Sequence, residues 1–325
     1  MNAPTHPDTP DAALLARALK ASGDELRLLI LTALARDSFG VLELCTIFAC
    51  KQSGMSHHLK VLANAGLVAT RREGNTIFYR RSDEQLSPAH SALRHAIYVA
   101  ANELRLPSAW QDNLAQVYGA REDASRAFFL EHARAFKEHQ DLIATLDIYG
   151  PEVAKVIDAS AYRANDHALE IGPGTGEFLP ELATRFTQVT ALDNAPAMLE
   201  QSRQRCAELK LHNVELSLGD TRFCRRHPGA FDCVVINMVL HHTPSPQQIF
   251  DDVASALKTR AVLIICELAE HNQDWVRDAC GDQWLGFASN DLKHWAENAG
   301  LNAGLSRYFA LRNGFQIQIH QFIKP

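Results

Sequence analysis

Two periodicities divide this 325-residue chain. Up to about residue 165, apart from a β-rich stretch at 67–81, apolar positions recur every three or four residues, and beyond it short apolar runs alternate with amphipathic segments. Residues 12 to 35 carry helical spacing interrupted at Ser22-Gly23-Asp24, which predicts two short helices joined by a capped turn. From Val41 to Leu67 the pattern is helix, break, helix: Val41, Leu44, Ile47 and Phe48 make one stripe, and Met55, Leu59 and Leu62 the next. Gly66 suits the left-handed position that stops the second helix. Two β-rich runs follow, Leu67 to Arg71 and Thr76 to Arg81, about a Glu73-Gly74-Asn75 tip, which predicts a hairpin. Leu86, Leu93, Ile97, Ala100 and Leu104 form another helical stripe, ended by Pro107, and residues 108 to 165 read as helical with a break at Gly150-Pro151.

From residue 166 onward strands are expected at 168–171, 188–193, 214–218, 232–238 and 261–266, with a terminal alternating strand from Phe315 to Phe322. Strands that alternate with helices describe a parallel sheet covered on its faces. The fold class expected is α/β in two parts, an N-terminal winged helix-turn-helix and a C-terminal Rossmann-like sheet. The expected boundaries are a disordered N-terminus at 1–11, a DNA-binding domain at 12–82, a helical dimerisation or linker region at 83–165, and the α/β domain at 166–325.

Composition narrows the class. A formal charge of −6 argues against a uniformly basic nucleic-acid binder, so local charge decides. Between Lys51 and Arg81 it reverses: Lys51, Lys60, Arg71, Arg72, Arg80 and Arg81 stand against Glu73 alone, the footprint of phosphate contacts. Seven cysteines, with no C-x-x-C pair, read as reduced thiols. The polar, proline-rich start is not a signal peptide, and no stretch approaches the length of a membrane span; a cytoplasmic protein without membrane association is expected.

With Met55, Leu59 and Leu62 turned inward, Gln52, Ser53, Ser56, His57 and Lys60 face outward on the helix that reads base edges in such motifs, and Arg71, Arg72, Asn75 and Thr76 would form the wing. The run Ser53-Gly54-Met55-Ser56-His57-His58-Leu59-Lys60-Val61-Leu62-Ala63-Asn64-Ala65-Gly66-Leu67-Val68 resembles the recognition-helix signature of the arsenical-resistance-repressor (ArsR) family, over roughly residues 12 to 82. The resemblance implies binding of double-stranded operator DNA as a homodimer, with the stripe from Leu86 to Leu104 as the dimer helix. Many members sense metals through a C-x-C pair after Glu-Leu. Here Glu43-Leu44-Cys45-Thr46-Ile47 lacks the second thiol, Cys50 is expected on a different helical face, and His90 and His95 share no face well, so classical metal sensing is not expected and both thiols read as small buried hydrophobes.

In the second part, the strand Ala168-Leu169-Glu170-Ile171 runs into Gly172-Pro173-Gly174-Thr175-Gly176, a turn through which backbone can approach a cofactor closely. Glu177 stands where a dinucleotide fingerprint wants glycine, which disfavours a nicotinamide. Asp193, twenty-one residues after Gly172, ends an apolar run and can accept from both hydroxyls of a ribose diol. Here the chain resembles the class I S-adenosylmethionine-dependent methyltransferases. Asp193-Asn194-Ala195-Pro196-Ala197-Met198-Leu199, Gly219-Asp220, and Phe231 to His242 follow as the family's second-, third- and fourth-strand motifs. The resemblance implies that S-adenosylmethionine or S-adenosylhomocysteine is held by Glu170, Gly172, Gly174, Gly176, Asp193, Asn194, Met198, Asp220, Thr221 and Asn237, with Asp220 at the adenine amino group.

Catalytic groups are less marked. Methyl transfer needs a positioned acceptor and, for oxygen or nitrogen acceptors, a base. The candidates near strand ends are His241, His242, Glu267 and His271; His242, Glu267 and His271 could also form a mononuclear metal set, but no metal is expected. Glu170, Glu267 and Asp232 are the carboxylates placed to distinguish a sulfonium from a neutral thioether. Two functions remain open: a transcriptional regulator whose second domain senses one of the two adenosyl ligands, or an active small-molecule methyltransferase with an attached autoregulatory DNA-binding domain.

Overall fold

The computed structural model describes residues 10–73, 76–132, 136–160 and 165–325. It forms two compact units, with a boundary between Ala120 and Arg121. In the first, α1 (Pro10–Ser22) and α2 (Glu25–Ala33) meet at the predicted turn, where Asp24 caps α2 by accepting from the Arg27 amide at 3.0 Å. A short strand, β1 (Phe39–Gly40), leads into α3 (Val41–Ile47) and α4 (Gln52–Asn64). The hairpin is β2 (Val68–Glu73) and β3 (Thr76–Arg81), and β1 adds to it as a third strand beside β3, an addition too short to show in the pattern. Gly74 and Asn75, at the expected tip, lie outside the described residues.

Met55, Leu59 and Leu62 of α4 are buried with Leu44, Ile47, Ile30 and Leu31 in one apolar core. The next helix, α5 (Pro88–Asn102), contributes Ile97 and Ala101 to that core, while Ala100 of the expected stripe is exposed. Leu86, Val99 and Leu104 remain exposed large apolar residues. Residues 83–165, set apart in the sequence reading, contribute α5 and the start of α6 (Ser108–His132) to the first unit and the rest to the second.

The second unit continues with α7 (Phe136–Ile143) and α8 (Leu146–Asp158) before a seven-stranded sheet. Strand β4 (His167–Ile171) is followed by α9 (Leu179–Ala183), β5 (Gln188–Asp193), α10 (Pro196–Glu208), β6 (Val214–Leu218) and α11 (Arg222–Arg225). Then come β7 (Phe231–Asn237), α12 (Pro246–Ala256), β8 (Leu257–Leu268), α13 (Trp275–Cys280), α14 (Ser289–Asn298), β9 (Asn302–Ala310) and β10 (Gln316–Ile323). The sheet order is β6-β5-β4-β7-β8-β10-β9, parallel from β6 to β8 and antiparallel at β10 and β9.

The central strands read as continuous apolar runs because both of their faces are covered; all seven residues of β7 are buried. Strand β9 had no sequence signal because it is an edge whose side chains are nearly all exposed, so nothing forces an apolar alternation. The chain leaves β4 in one direction across the sheet and β7 in the other. That reversal opens a crevice at their carboxyl ends, where ligands of open α/β sheets bind. No helix among the described residues is long and apolar enough to cross a membrane.

Candidate functional site

At the β4–β7 reversal lies a cavity of about 600 Å³. Nine of the ten residues assigned from sequence to a cofactor line it: Glu170, Gly172, Gly174, Asp193, Asn194, Met198, Asp220, Thr221 and Asn237. Gly176 does not; a Cβ there would stand 3.0 Å from Ser202 Oγ, so its smallness serves packing of the turn on α10. Gly172 sits at φ +68°, and a Cβ there would meet Val239 Cγ2 at 2.5 Å. Gly174, at φ +56°, has nothing within 4 Å of a Cβ position and leaves its surroundings open. The turn is held from behind: Ser202 Oγ donates to Gly174 O at 2.9 Å and Arg205 Nε to Thr175 O at 3.0 Å.

Asp193 does more than the sequence assigned to it. Its carboxylate accepts from the Ala195 amide at 2.8 Å and from the Gly174 and Asn194 amides, so it ties the end of β5 to the glycine turn. Burial pushes its pKa up to about 6, against the lowering effect of those amides. Asp220 accepts from the Arg222 amide and guanidinium at 2.9 and 2.8 Å, and the Arg222 partner holds it below its ordinary value. The Thr221 hydroxyl is committed to Asp252, at 2.6 Å.

Glu170 is fully buried and its pKa is raised by that burial to about 8, opposed by a hydrogen bond from Asn237. Glu170 Oε2 and Asn237 Oδ1 are buried acceptors with no hydrogen-bond partner among the described residues. Two unmet acceptors on the wall of a cavity call for a donor from a ligand. An α-ammonium fits them, and the open space at Gly174 admits the rest of an amino-acid tail; the residues present therefore fit S-adenosylmethionine.

The remaining carboxylates are elsewhere. Asp232 accepts from the His167 amide at 3.0 Å and from Lys258 Nζ at 2.7 Å and does not line the cavity, nor does Glu267; of the three expected to feel a ligand charge, only Glu170 is placed to. Among the catalytic candidates, His242 lines the cavity, whereas His241, Glu267 and His271 do not. His242 is held neutral, its pKa well below the ordinary value through burial and the adjacent His241, against a backbone hydrogen bond with Gly281. His241 donates from Nδ1 to Glu267 Oε1 at 2.5 Å; burial alone would lower its pKa, but Glu267 and Asp282 raise it to about 9. His271 packs edge-on against Phe315, with ring centroids 4.8 Å apart, so the set His242, Glu267 and His271 does not assemble.

Sequence reasoning missed the cover of the cavity, which Glu122, Ser125 and Arg126 of α6, Gln140 of α7, and Leu146 and Tyr149 of α8 supply. Those helices carry no motif; only their apolar spacing was visible, and it gave no hint of which sheet they would close.

In the first unit, Gln52, Ser53, Ser56, His57 and Lys60 are all exposed on α4, and Arg72 and Thr76 are exposed in the hairpin with Arg71 half-buried. Asn75 lies outside the described residues. Arg81 departs from the basic face: its Nε donates to Leu31 O and its Nη1 to Asn102 Oδ1, both at 2.8 Å, over the Tyr98 ring, and burial lowers its pKa to about 10. One thiol expectation is corrected. Helical spacing puts Cys50 on a different face from Cys45, but α3 ends at Ile47 and Ala49, at φ 50°, turns the chain back. The Cys50 amide then donates to Cys45 O at 3.1 Å, and the two thiols share a hydrogen bond that, after burial, helps hold Cys45 above its ordinary pKa.

Comparison with known proteins agrees with these two parts. Residues 24–70 match the model of the bacterial regulatory proteins of the arsR family, and residues 168–260 match that of a methyltransferase domain. The transcriptional activator HlyU of Vibrio cholerae is 40% identical over 85 residues, which are 26% of this chain and 78% of that protein. The demethylmenaquinone methyltransferase of Tropheryma whipplei is 29% identical over 106 residues, 33% of this chain and 43% of that enzyme. Several of the curated relatives are thus spanned for less than half of their length. A chain of the Haloferax volcanii Trm112 methyltransferase-activator complex superposes with a TM-score of 0.50 at 14% identity, covering 62% of this chain and 97% of that one, which shows the fold alone.

Proposed function

We propose, of a chain that belongs to the arsR family of bacterial regulators and carries a methyltransferase domain, that it binds operator DNA through α4 and the hairpin and binds S-adenosylmethionine or S-adenosylhomocysteine in the β4–β7 cavity. The observation that carries the cofactor reading is the pair of unmet acceptors, Glu170 Oε2 and Asn237 Oδ1, on the wall of a cavity whose floor is the glycine turn. Glu170 and Asn237 would receive the α-ammonium and Asp193 the ribose hydroxyls, while Asp220 offers its carboxylate to the adenine amino group. Gln52, Ser53, Ser56, His57 and Lys60 would face the major groove, with Arg71, Arg72, Asn75 and Thr76 at flanking phosphates. The chain acts as a cytoplasmic homodimer in this reading; the exposed Leu86, Val99 and Leu104 support the dimer contact.

In the sensor form of this function, the sulfonium and the thioether must bind the DNA-competent state unequally, because a ligand of equal affinity for both states shifts nothing. A tenfold change in operator affinity needs only about 1.4 kcal/mol of differential binding. The test is operator titration by anisotropy with each ligand, repeated in Gly174→Arg, which fills the open side of the turn. A ligand-dependent shift in the parent, absent in the variant, supports the sensor; identical operator affinity under all conditions overturns it.

His242 favours a second reading. A neutral imidazole on the cavity wall can accept a proton from an oxygen or nitrogen acceptor, so the domain would then be an active small-molecule methyltransferase. The bound donor supplies an electrophilic methyl group on sulfur; His242 and the cavity walls supply orientation, dryness and the base. Turnover of labelled S-adenosylmethionine with a metabolite extract, lost in His242→Gln, is the outcome this reading requires.

A further inference from the structure

We propose that His241, His242 and Asp282 form a binding site for a zinc-class divalent transition-metal ion. The three residues come from two segments forty residues apart, the 3-10 turn Leu240–His242 after β7 and the loop after α13, and all are buried. One nitrogen or oxygen from each lies within 4.8 Å of the others. Asp282 Oδ1 stands 3.9 Å from His241 Nε2 and 3.5 Å from His242 Nδ1. Four donors at about 2.0–2.1 Å from a tetrahedral ion lie roughly 3.3 Å apart, so the carboxylate–imidazole separations are within about 0.6 Å of what an ion needs, and the two imidazole nitrogens, at most 4.8 Å apart, have to close by up to about 1.5 Å.

The surroundings fit an ion better than an ion pair alone. The far nitrogen of His241, Nδ1, is held by Glu267, whose oxygens also accept from the His241 amide at 3.3 Å and the Leu268 amide at 2.6 Å. A carboxylate fixed by backbone and bonded to the back of an imidazole is the arrangement that sets the tautomer of a metal-bound histidine and turns its other nitrogen toward the ion. Two nitrogens and one carboxylate oxygen suit zinc and its neighbours rather than calcium or magnesium, which take oxygen.

The loop is already laced to the same turn. The Gln283 and Trp284 amides both donate to His241 O, at 2.8 and 3.1 Å, Gln283 Nε2 donates to His242 O at 3.1 Å, and Trp284 Nε1 to Thr243 O at 2.7 Å. An ion there would staple two segments next to the cavity wall that His242 and Thr243 form. Because its donors belong to the turn and loop rather than to the glycine turn, the site stands whether or not the cavity takes an adenosyl ligand; an ion on His242 would occupy the lone pair that the methyltransferase reading gives to a base, so the site goes with the sensor reading.

The test uses the full chain, stripped with a chelator and titrated with Co2+ alone and then with Zn2+. One Co2+ per chain is expected, with visible ligand-field bands of a low-coordinate nitrogen and oxygen site, displaced by one Zn2+ that raises the thermal midpoint. Asp282→Asn, which keeps shape and loses charge, and His242→Gln should lose the spectrum while retaining a cooperative melt in the absence of metal. Glu267→Gln, acting through His241, should weaken affinity by about 10- to 100-fold with the spectrum kept. The proposal is overturned if the folded parent chain takes up no stoichiometric Co2+ or Zn2+, or if Asp282→Asn holds Co2+ with an unchanged spectrum. Should neither variant fold, the parent spectrum and its stoichiometry decide alone.

Discussion

Asn237, at the end of β7, donates from Nδ2 to Glu170 Oε1 of the neighbouring strand β4 across 3.4 Å, and each residue keeps one buried oxygen without a hydrogen-bond partner among the described residues. Because Glu170 titrates near 8, its carboxyl is mostly protonated at neutral pH in the free protein. A ligand ammonium beside it favours the charged form, so binding of S-adenosylmethionine at pH 7 is expected to release protons. Calorimetry in two buffers of different ionisation enthalpy measures this directly. In Glu170→Gln the buffer dependence should vanish and affinity fall by roughly 10- to 100-fold, as expected for loss of a charged hydrogen bond of about 1.5–3 kcal/mol. Buffer-independent enthalpies in the parent protein would remove the role given to Glu170.

The same burial sets a pH dependence of stability. Glu170 and Asp193 both have folded pKa values raised above their ordinary ones, to about 8 and about 6. The folded state then binds more protons than the unfolded one, so their contribution is present in acid and lost as pH rises through those values. The melting temperature of the ligand-free protein should therefore decline between about pH 5 and 8 relative to Glu170→Gln, which should give the flatter profile in parallel thermal scans.

Gly172 and Gly174 should respond differently to alanine. At Gly172 the new methyl meets Val239 at 2.5 Å on a left-handed backbone, and a loss of about 1–3 kcal/mol is expected. At Gly174 there is backbone strain without a clash, so a smaller loss of stability should accompany a weakened ligand affinity. Denaturant melts and ligand titrations of the two variants separate these effects, and equal destabilisation at both would count against the open side of the turn.

Asp193→Asn is the informative change at the residue proposed to hold the ribose. It keeps an acceptor for the Ala195 amide but removes the charge, so ligand affinity should drop by about tenfold with little change in the melt. Asp193→Ala should lose both, since the turn is then untied.

On the DNA side, duplex binding should weaken steeply with salt. Arg72→Ala should weaken operator and random DNA alike, and Gln52→Ala or His57→Ala should reduce discrimination between them. Arg81→Ala should instead lower the melting temperature and leave the salt slope unchanged, because its guanidinium bonds Leu31 and Asn102 inside the unit. Competition binding at several salt concentrations, with melts of each variant, resolves these three behaviours.

The sequence by itself determined what local periodicity and fixed spacing encode. The stripe of Met55, Leu59 and Leu62 assigned the buried face of α4, and so the exposed one, because three- and four-residue spacing returns to one side of a helix. The run from Ala168 to Gly176 placed a strand, a turn and an approach point in order, since only glycine takes φ values such as those of Gly172 and Gly174 without strain. Nine of the ten residues assigned from those motifs line the cavity.

What only the tertiary structure decided concerns partners distant in the chain. Arg81 and Arg72 are both arginines at the ends of a hairpin, yet one turns inward because Leu31, Tyr98 and Asn102 happen to meet it there. Cys50 reached Cys45 because a left-handed residue after the helix reversed the chain, which helical spacing cannot express. Asp282 met His241 and His242 across forty residues, and α6 to α8 closed the cavity, by long-range packing. Periodicity records which side of an element avoids water; it carries no record of which other element will cover that side, and the charges and donors of a site are set by that choice.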